Sequence, residues 1–554
     1  MSPVAVHDPH IDQMPGLGLE LVAVSSTDPE LVLHRYVSRD ASGLVKIPTA
    51  NSIALARATT SKSAKDVLAD TDKGSPCSDV CDEGVPTLVD FEPGDPTDPH
   101  NFSPLRKKII TLAMICTINN STFASSVSSG ASKAIKADFG CSSVLTTLLV
   151  TLYMIGFVVG PSFWAPMSEY IGRRYVLFAS CTFYLIFTIA CAVSPNIGAL
   201  LAFRFLQGLN ATCPISVSGG VFADIYVEPI KRGRAVAVFC GFTILGSLFG
   251  PFIAGYVSTS HLGWRWAFWI TAIMAAAALV FLIAVLPETF RPVLIMRRAQ
   301  KMRDEGLNVV SAYDLQDQDV KGIFMNVILR PVRMLFSEPI VAAICVYVGF
   351  IYGIFYIFFL AYPIIFQDER GMSPGKGGLM LLPIAIGAIA TSAIHYRYDV
   401  YVERLRNSGV DVPVERDRLP VTICTAWCLP IALFWLAWTS YQSVPFGVVM
   451  LGGIFFGLGF TSLFIGFLNY VTDCYKIYAA SAHGIMSMTR SILASCFPLF
   501  APAMYNGIGV HWATTIFAIL AALMAPIPIL FYKYGPYLRA HSKFAATLAT
   551  QNNP

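Results

Sequence analysis

Trp164-Ala165-Pro166-Met167-Ser168-Glu169-Tyr170-Ile171-Gly172-Arg173-Arg174 lies between two apolar runs, at about residues 143–164 and 175–193. Each run is long enough to cross a bilayer as a helix, which takes about 20 apolar residues. The polar stretch between them therefore reads as a short loop joining antiparallel membrane helices. Within it the carboxylate of Glu169 stands one helical turn before the Arg173-Arg174 pair, across Gly172. That pattern suits a gate in which acid and arginine latch neighbouring helices. It suits equally well a topology signal combined with a helix cap.

Working outward, further runs of the same kind lie at about residues 109–129, 198–221, 234–257 and 266–286. After a polar interval they resume at about 339–361, 376–395, 420–440, 445–470, 479–503 and 511–532. Twelve runs, divided six and six, predict an all-α polytopic membrane protein. The runs are too long and too uniformly apolar for barrel strands, and lipid permits only helices or closed barrels. The expected organisation is a disordered cytosolic tail over 1–107 and a six-helix bundle over 108–287. A linker over 288–337, a second six-helix bundle over 338–532 and a cytosolic tail over 533–554 follow. The tail before the first span is rich in Ser, Asp, Pro and Gly without an apolar period. It shows no signal peptide, so the first span is expected to act as its own insertion signal. The linker is too long for an ordinary helix connection. Its segment around Met296–Glu305 is expected to form a surface helix.

Composition agrees with a chain that faces lipid. Of 554 residues 55% are hydrophobic and 13% charged, where soluble domains carry about 25% charged residues. The net charge of +4 is too small for this length to suggest a nucleic-acid partner. With both termini cytosolic, the basic residues of the loops, linker and tails divide twenty-five inside against five outside. That bias orients the chain by the positive-inside rule and requires an even number of spans. The thirteen cysteines are scattered, many in apolar runs and none in a C-x-x-C pair. They predict neither disulfide framework nor metal site. Asn101, Asn119, Asn120 and Asn210 fit the glycosylation pattern, but each falls in the cytosolic tail or inside a span.

Arg204-Phe205-Leu206-Gln207-Gly208 places an arginine inside the fourth span, at a cost of about 2.5–3.5 kcal/mol on insertion scales. Such a residue is paired, wet, functional, or bonded to backbone carbonyls. The fifth span contains Gly246, Gly250-Pro251, Ala254 and Gly255. Glycines four apart allow close helix approach, and proline kinks the helix and frees a carbonyl.

These motifs together resemble the major facilitator superfamily. The loop is similar to its signature Gly-x-Leu-Ala-Asp-Arg-x-Gly-Arg-Arg/Lys, with Ala165 for the first Gly, Glu169 for Asp and Tyr170 for the first basic residue. Gly172, Arg173 and Arg174 match directly. The Trp-Ala-Pro-x-Ser-Glu version resembles the fungal drug:proton antiporter branch with twelve helices. Asp95-Pro96 through Asn101-Phe102-Ser103, Trp264-Arg265-Trp266-Ala267-Phe268-Trp269, Leu286-Pro287-Glu288-Thr289-Phe290 and Tyr478-Ala479-Ala480-Ser481-Ala482 are similar to the same branch. The likeness covers about residues 92–545. It implies the major facilitator fold of two pseudo-symmetric bundles. It implies a role for Arg204 in proton coupling, and for Gly246, Gly250, Pro251 and Gly255 as the antiporter motif of exporters.

For substrate contact the sequence offers Tyr352, Phe355, Tyr356 and Phe359, spaced on one helix face with Tyr362. Asn119 and Asn120, polar at membrane depth, join them. The aromatic face also suits plain packing. Proton coupling needs a titratable group, yet no Asp or Glu falls mid-span. Glu169, Asp224 and Asp473 sit at cytosolic helix ends, Arg490 and His483 lie in the eleventh span and His395 ends the eighth, so the carrier is an end carboxylate or a histidine; His483, near its helix start, suits a cap equally. Asp224 is expected to join Glu169, Arg173 and Arg174 in the gate.

No phosphate-binding loop, nucleophile elbow or zinc-protease motif occurs, so an enzyme and ATP-driven transport are not expected. The expected function is proton-coupled export of a small amphipathic organic compound: toxin, drug or secondary metabolite. No cofactor or metal is called for. The expected partners are the solute, protons and the lipid bilayer, with the chain a monomer in the cell membrane or a vacuolar or vesicle membrane. An importer of polyamine or another nutrient, or a non-transporting sensor, are the alternatives.

Overall fold

A computed structural model describes residues 38–39, 45–46, 87–92, 94–311, 320–410, 412–475 and 479–542. Two compact units divide the chain at 101/102, 290/291 and 318/319.

The larger unit is helical. Its first half holds α1 (Pro104–Gly130), α2 (Ser132–Phe139), α3 (Ser143–Tyr170), α4 (Arg173–Ala192), α5 (Ile197–Ala211), α6 (Cys213–Ile225), α7 (Pro229–Thr259) and α8 (Arg265–Val285). In the smaller unit the chain continues through α9 (Arg291–Asp304). It re-enters the larger unit at α10 (Val320–Ser337) and α11 (Pro339–Tyr362), which ends in a π-helical turn, Pro363–Asp368. The second half is completed by α12 (Pro374–Leu379), α13 (Pro383–Asn407), α14 (Val414–Arg418), α15 (Pro420–Ala426), α16 (Cys428–Thr439), α17 (Phe446–Tyr475), α18 (Ala479–Met524) and α19 (Ile527–Ala540).

Among the described residues nine helices are long and apolar enough to cross a membrane. The twelve expected spans differ from nine for three physical reasons. The fourth span is broken at Thr212 into α5 and α6, with Pro214 opening the second piece. The eleventh and twelfth merge into α18, whose backbone leaves helical geometry at Gly509, φ 79° and ψ 160°. The first, α1, is too polar to score as apolar. Its hydroxyls bond to carbonyls of the same helix: Thr117 to Met114 at 2.8 Å, Ser125 to Thr122 at 2.6 Å and Ser129 to Ser126 at 2.8 Å. Such back-bonding lets polar side chains sit at membrane depth without orphaned groups. The start of α1 follows from its sequence, Ser103 capping the Arg106 N–H at 3.3 Å with Pro104 in the first turn.

The smaller unit contains a sheet ordered β1 (Ser38–Arg39), β2 (Val45–Lys46), β3 (Thr87–Val89) and β4 (Val309–Ser311). β3 and β4 run parallel, with Leu88 opposite Val310. Val89, Val309 and Ala299 of α9 form its buried core. Arg298 pairs with Asp95 at 2.6 Å, and Arg291 with Asp90 and Asp98 at 3.4 Å each. Where the sequence alone suggests a structureless tail to residue 107, Thr87–Val89 is thus a strand and α1 begins at Pro104. The strand has three residues and a distant partner, so no local period announces it. The rest of the tail, Tyr478, Lys476 and Lys543 lie outside the described residues.

Candidate functional site

The loop that opened the sequence reading is built around a carboxylate from the far end of the first half. Gly172 takes φ 108°, a conformation that side chains rarely adopt, and a Cβ there would lie 2.8 Å from the Glu288 carboxyl carbon. Glu288 is buried and accepts the backbone N–H groups of Arg173 at 2.9 Å and Arg174 at 3.3 Å, capping α4. It also accepts those of Thr289 and Phe290, both at 3.0 Å. A negative charge at a helix start satisfies its free N–H groups and its dipole together. With its own N-terminus held, the Arg173 side chain turns inward. Its Nη1 donates to the Ser168 hydroxyl at 2.6 Å, and its guanidinium lies 4.7 Å from the Phe290 ring. Its Nε is 3.5 Å from Asp224, and its Nη2 is 3.9 Å from Glu169, which stays half exposed. Thr289 donates to the same Asp224 oxygen at 3.4 Å. Arg173, Asp224 and Glu169 are thus brought together, with Asp224 the nearer acid. Arg174 stands apart, over the Phe178 ring. All these groups belong to the first half. A charged pair that joins the two halves at this end is Arg234 of α7 with Glu403 of α13.

Arg204 is fully buried and fully bonded. Its Nε donates to the Leu149 carbonyl at 3.0 Å, and its Nη1 to the Ala124 carbonyl at 2.8 Å and to Gln207 at 2.9 Å. Nη2 reaches the Ser125 carbonyl at 3.3 Å and the Ser128 hydroxyl at 3.4 Å. The Tyr153 ring covers it at 4.4 Å. No carboxylate pairs with it among the described residues. The cage does touch the second half: Tyr356 of α11 donates to the Ser125 hydroxyl at 2.8 Å.

The glycines of α7 serve two faces. A Cβ on Gly250 would lie 2.7 Å from the Phe123 carbonyl oxygen, and one on Gly246 would strike Asn119 and Thr122. Both therefore admit the backbone of α1, and Ser126 donates to the Ser247 carbonyl at 2.6 Å. Gly255 turns the other way, where a Cβ would lie 2.6 Å from the Pro374 carbonyl carbon at the start of α12. The backbone of Pro251 and Phe252 meets Gly378 there, with 2.6 Å from the Phe252 Cα to a Cβ on Gly378. The run thus packs within its own half and against the other.

The aromatic face of α11 meets α17. Phe355 stacks on Phe460 at 4.9 Å, and Tyr352 lies 6.1 Å from it. Phe359 packs edge-on to Phe355 and Tyr356. Phe456, Phe460 and Phe464, four residues apart on α17, form the facing series. They escape a sequence reading because their run is apolar throughout, although the four-residue spacing is visible. Phe464 packs against two buried clusters, one spanning both halves and one drawn mainly from the first. Asn119 bonds the Ile115 carbonyl of its own helix at 3.0 Å. Asn120 ties α1 to α8 and α4, through the Thr271 carbonyl at 3.1 Å and the Tyr184 hydroxyl at 2.5 Å. It lines a small cleft inside the first half with Thr117, Cys181 and Asn210. His483 shares a hydrogen bond with Thr472 at 2.8 Å, and its Nδ1 has no partner. Among the described residues no cluster of three or more His, Cys, Asp or Glu is placed to hold a metal.

At the opposite end, the Trp264-Arg265 element binds one acid. The Trp264 indole donates to Asp138 at 3.0 Å and Arg265 at 2.9 Å. The indole hydrogen bond first, and the guanidinium second, hold the Asp138 carboxyl below the usual carboxylate range.

Two six-helix halves, joined by Arg234 and Glu403 at one end of α7 and by α7 against α12 at the other, define a polytopic membrane carrier. The Major Facilitator Superfamily profile matches residues 113–496, and the chain belongs to that family. It is 37% identical, over 83% of its length and 92% of the other chain, to the citrinin biosynthesis cluster MFS transporter mrr1 of Monascus ruber. It is 36% identical, over 84% of its length and 79% of the other chain, to the efflux pump FUB11 of Gibberella moniliformis. Among solved structures, the proton:xylose symporter XylE bound to 6-bromo-6-deoxy-D-glucose superposes with a TM-score of 0.58 at 17% identity. That match covers 78% of this chain and 96% of the other, and it bears on the fold alone.

Proposed function

We propose that this protein exports a small amphipathic organic compound, a toxin, drug or secondary metabolite, in exchange for protons moving inward. The observation that carries the reading is the aromatic seam. Rings of α11 and α17 face one another, and Tyr356 is hydrogen-bonded to the cage of Arg204. Aromatic walls suit flat, weakly polar solutes. The named relatives that are an efflux pump and a biosynthesis-cluster transporter support the direction. Opposed rocking of the halves would expose the edge of this second-half seam, where Tyr356 meets Ser125 of the first half, to each side in turn. In this reading Arg204 senses the solute through Ser125 and Tyr356, with His483 the alternative coupling group. Arg173 with Asp224 and Glu169, flanked by Arg174, sets the geometry of the gate end. The α7 glycines let the two halves close. Both termini face the cytosol, and the chain acts as a monomer in the plasma membrane.

A strain lacking the protein, challenged with a panel of toxins and with its own secreted metabolites, tests the export reading. Increased sensitivity or retained metabolite is expected. Unchanged sensitivity and secretion throughout would overturn it. Sealed vesicles with an imposed pH gradient separate export from uptake of a polyamine by the direction of flux. A polyamine would also require acidic groups, and the seam rings described above offer none.

A further inference from the structure

Arg490 of α18 is buried, 6% exposed, yet its Nε has no hydrogen-bond partner. No hydrogen bond or ion pair involves it among the described residues. Its guanidinium instead lies 4.9 Å from the Phe464 ring and 5.1 Å from the Tyr352 ring. It is within electrostatic range of Cys240 on α7 and of His483. α7 belongs to the first half and α11, α17 and α18 to the second, so this cation stands at the boundary between the halves that opposed rocking would part. Ring faces attract a cation but leave its five N–H donors unused. A buried guanidinium with free donors is a site for a planar, bidentate acceptor, which a carboxylate matches and an amine repels.

We propose that Arg490 is the anion-recognising residue for the transported solute. Resting on the export reading, this assigns the cargo class: a flat conjugated compound bearing a carboxylate or comparable anionic oxygen. The acidic group binds the guanidinium, and the body lies along the rings of Tyr352 and Phe464. Positively charged solutes are disfavoured at the same point.

The test compares 1-pyrenebutyrate with 1-pyrenebutanol, which share a body and differ in charge, on the full chain in nanodiscs of zwitterionic lipid. Fluorescence titration should show a preference for the acid of about tenfold or more, the scale of one charge-assisted contact. Arg490→Gln should abolish that preference and leave the alcohol within about twofold. Arg490→Lys, which keeps the charge, should retain part of it. No binding of the acid, equal affinity for both probes in the natural chain, or an unchanged preference in Arg490→Gln would each overturn the proposal. The first two readings need no variant and so hold even if Arg490→Gln fails to fold. Outward flux of acidic and neutral toxins alike would leave export standing and remove this assignment. Preferential acid binding without flux of any compound would do the reverse.

Discussion

Arg204 and Arg490 lie buried in the interior of membrane helices, one in each half, and they are held in opposite ways. Arg204 spends its donors on three backbone carbonyls, Gln207 and Ser128. Arg490 lies over two aromatic faces and has no hydrogen bond or ion pair among the described residues. Both are buried, but only the first has its bonding completed by the protein. Burial of a cation is therefore not one observation but two, and the inventory of its donors separates them. A saturated guanidinium organises the helices around it. An unsaturated one is held ready for something that arrives.

Substitutions can break that contrast, and the largest effect is expected at Arg204. Arg204→Leu strands several buried acceptors, each costing about 1–3 kcal/mol when left unpaired. Thermal denaturation of the purified chain should show severe destabilisation or loss of the monodisperse species. A variant as stable as the natural protein would mean the cage is not structural. Where Arg204→Ala or →Lys folds, its proton-driven flux tests the coupling role. Gly250→Leu comes next. It forces α7 from α1 and should cost about 1–3 kcal/mol, as overpacking does. Gly255→Leu strikes the start of α12 instead and should impair flux more than stability. Equal stability losses at both positions would erase the distinction between the two faces of α7. Arg490→Leu sharpens the comparison by its sign. Removing a buried cation that lacks partners should leave stability unchanged or raise it by about 1 kcal/mol. A loss as large as at Arg204 would show the two arginines to be alike.

The smallest effect is expected at Asp138, which is half exposed and screened by solvent. Its carboxyl is depressed in the folded state, so its contribution is present above the ordinary aspartate range. That contribution disappears as pH falls through the folded value. Asp138→Asn should lower the melting temperature slightly near neutral pH, with the gap to the natural chain narrowing on acidification. A gap that widens in acid would contradict the assignment.

The fold was largely legible because long apolar runs and loop arginines report the solvent directly. Three features resisted. α1 hides its crossing behind serines and threonines, several of which bond along their own helix. Glu288 looks like one acid in a short motif, and only the fold brings it to the start of α4. Arg490 was visible as a cation in a span, but its lack of partners is a property of the surroundings, which no spacing records. Conversely, the spacing of Glu169 and Arg173 carries no order of proximity: Asp224 lies closer to Arg173 than Glu169 does.

The pairing of β3 with β4 has a further meaning as topology. Thr87–Val89 and Val309–Ser311 share backbone hydrogen bonds, so they stand on one side of the bilayer. The chain between them must cross an even number of times, whatever the hydropathy of any single helix. Six crossings satisfy this, and the polar first helix has to be one of them. The pairing also makes the first half a closed circuit of chain. The ring cannot shut until the ribosome has made the linker, tens of seconds after the first strand at about 5–20 residues per second.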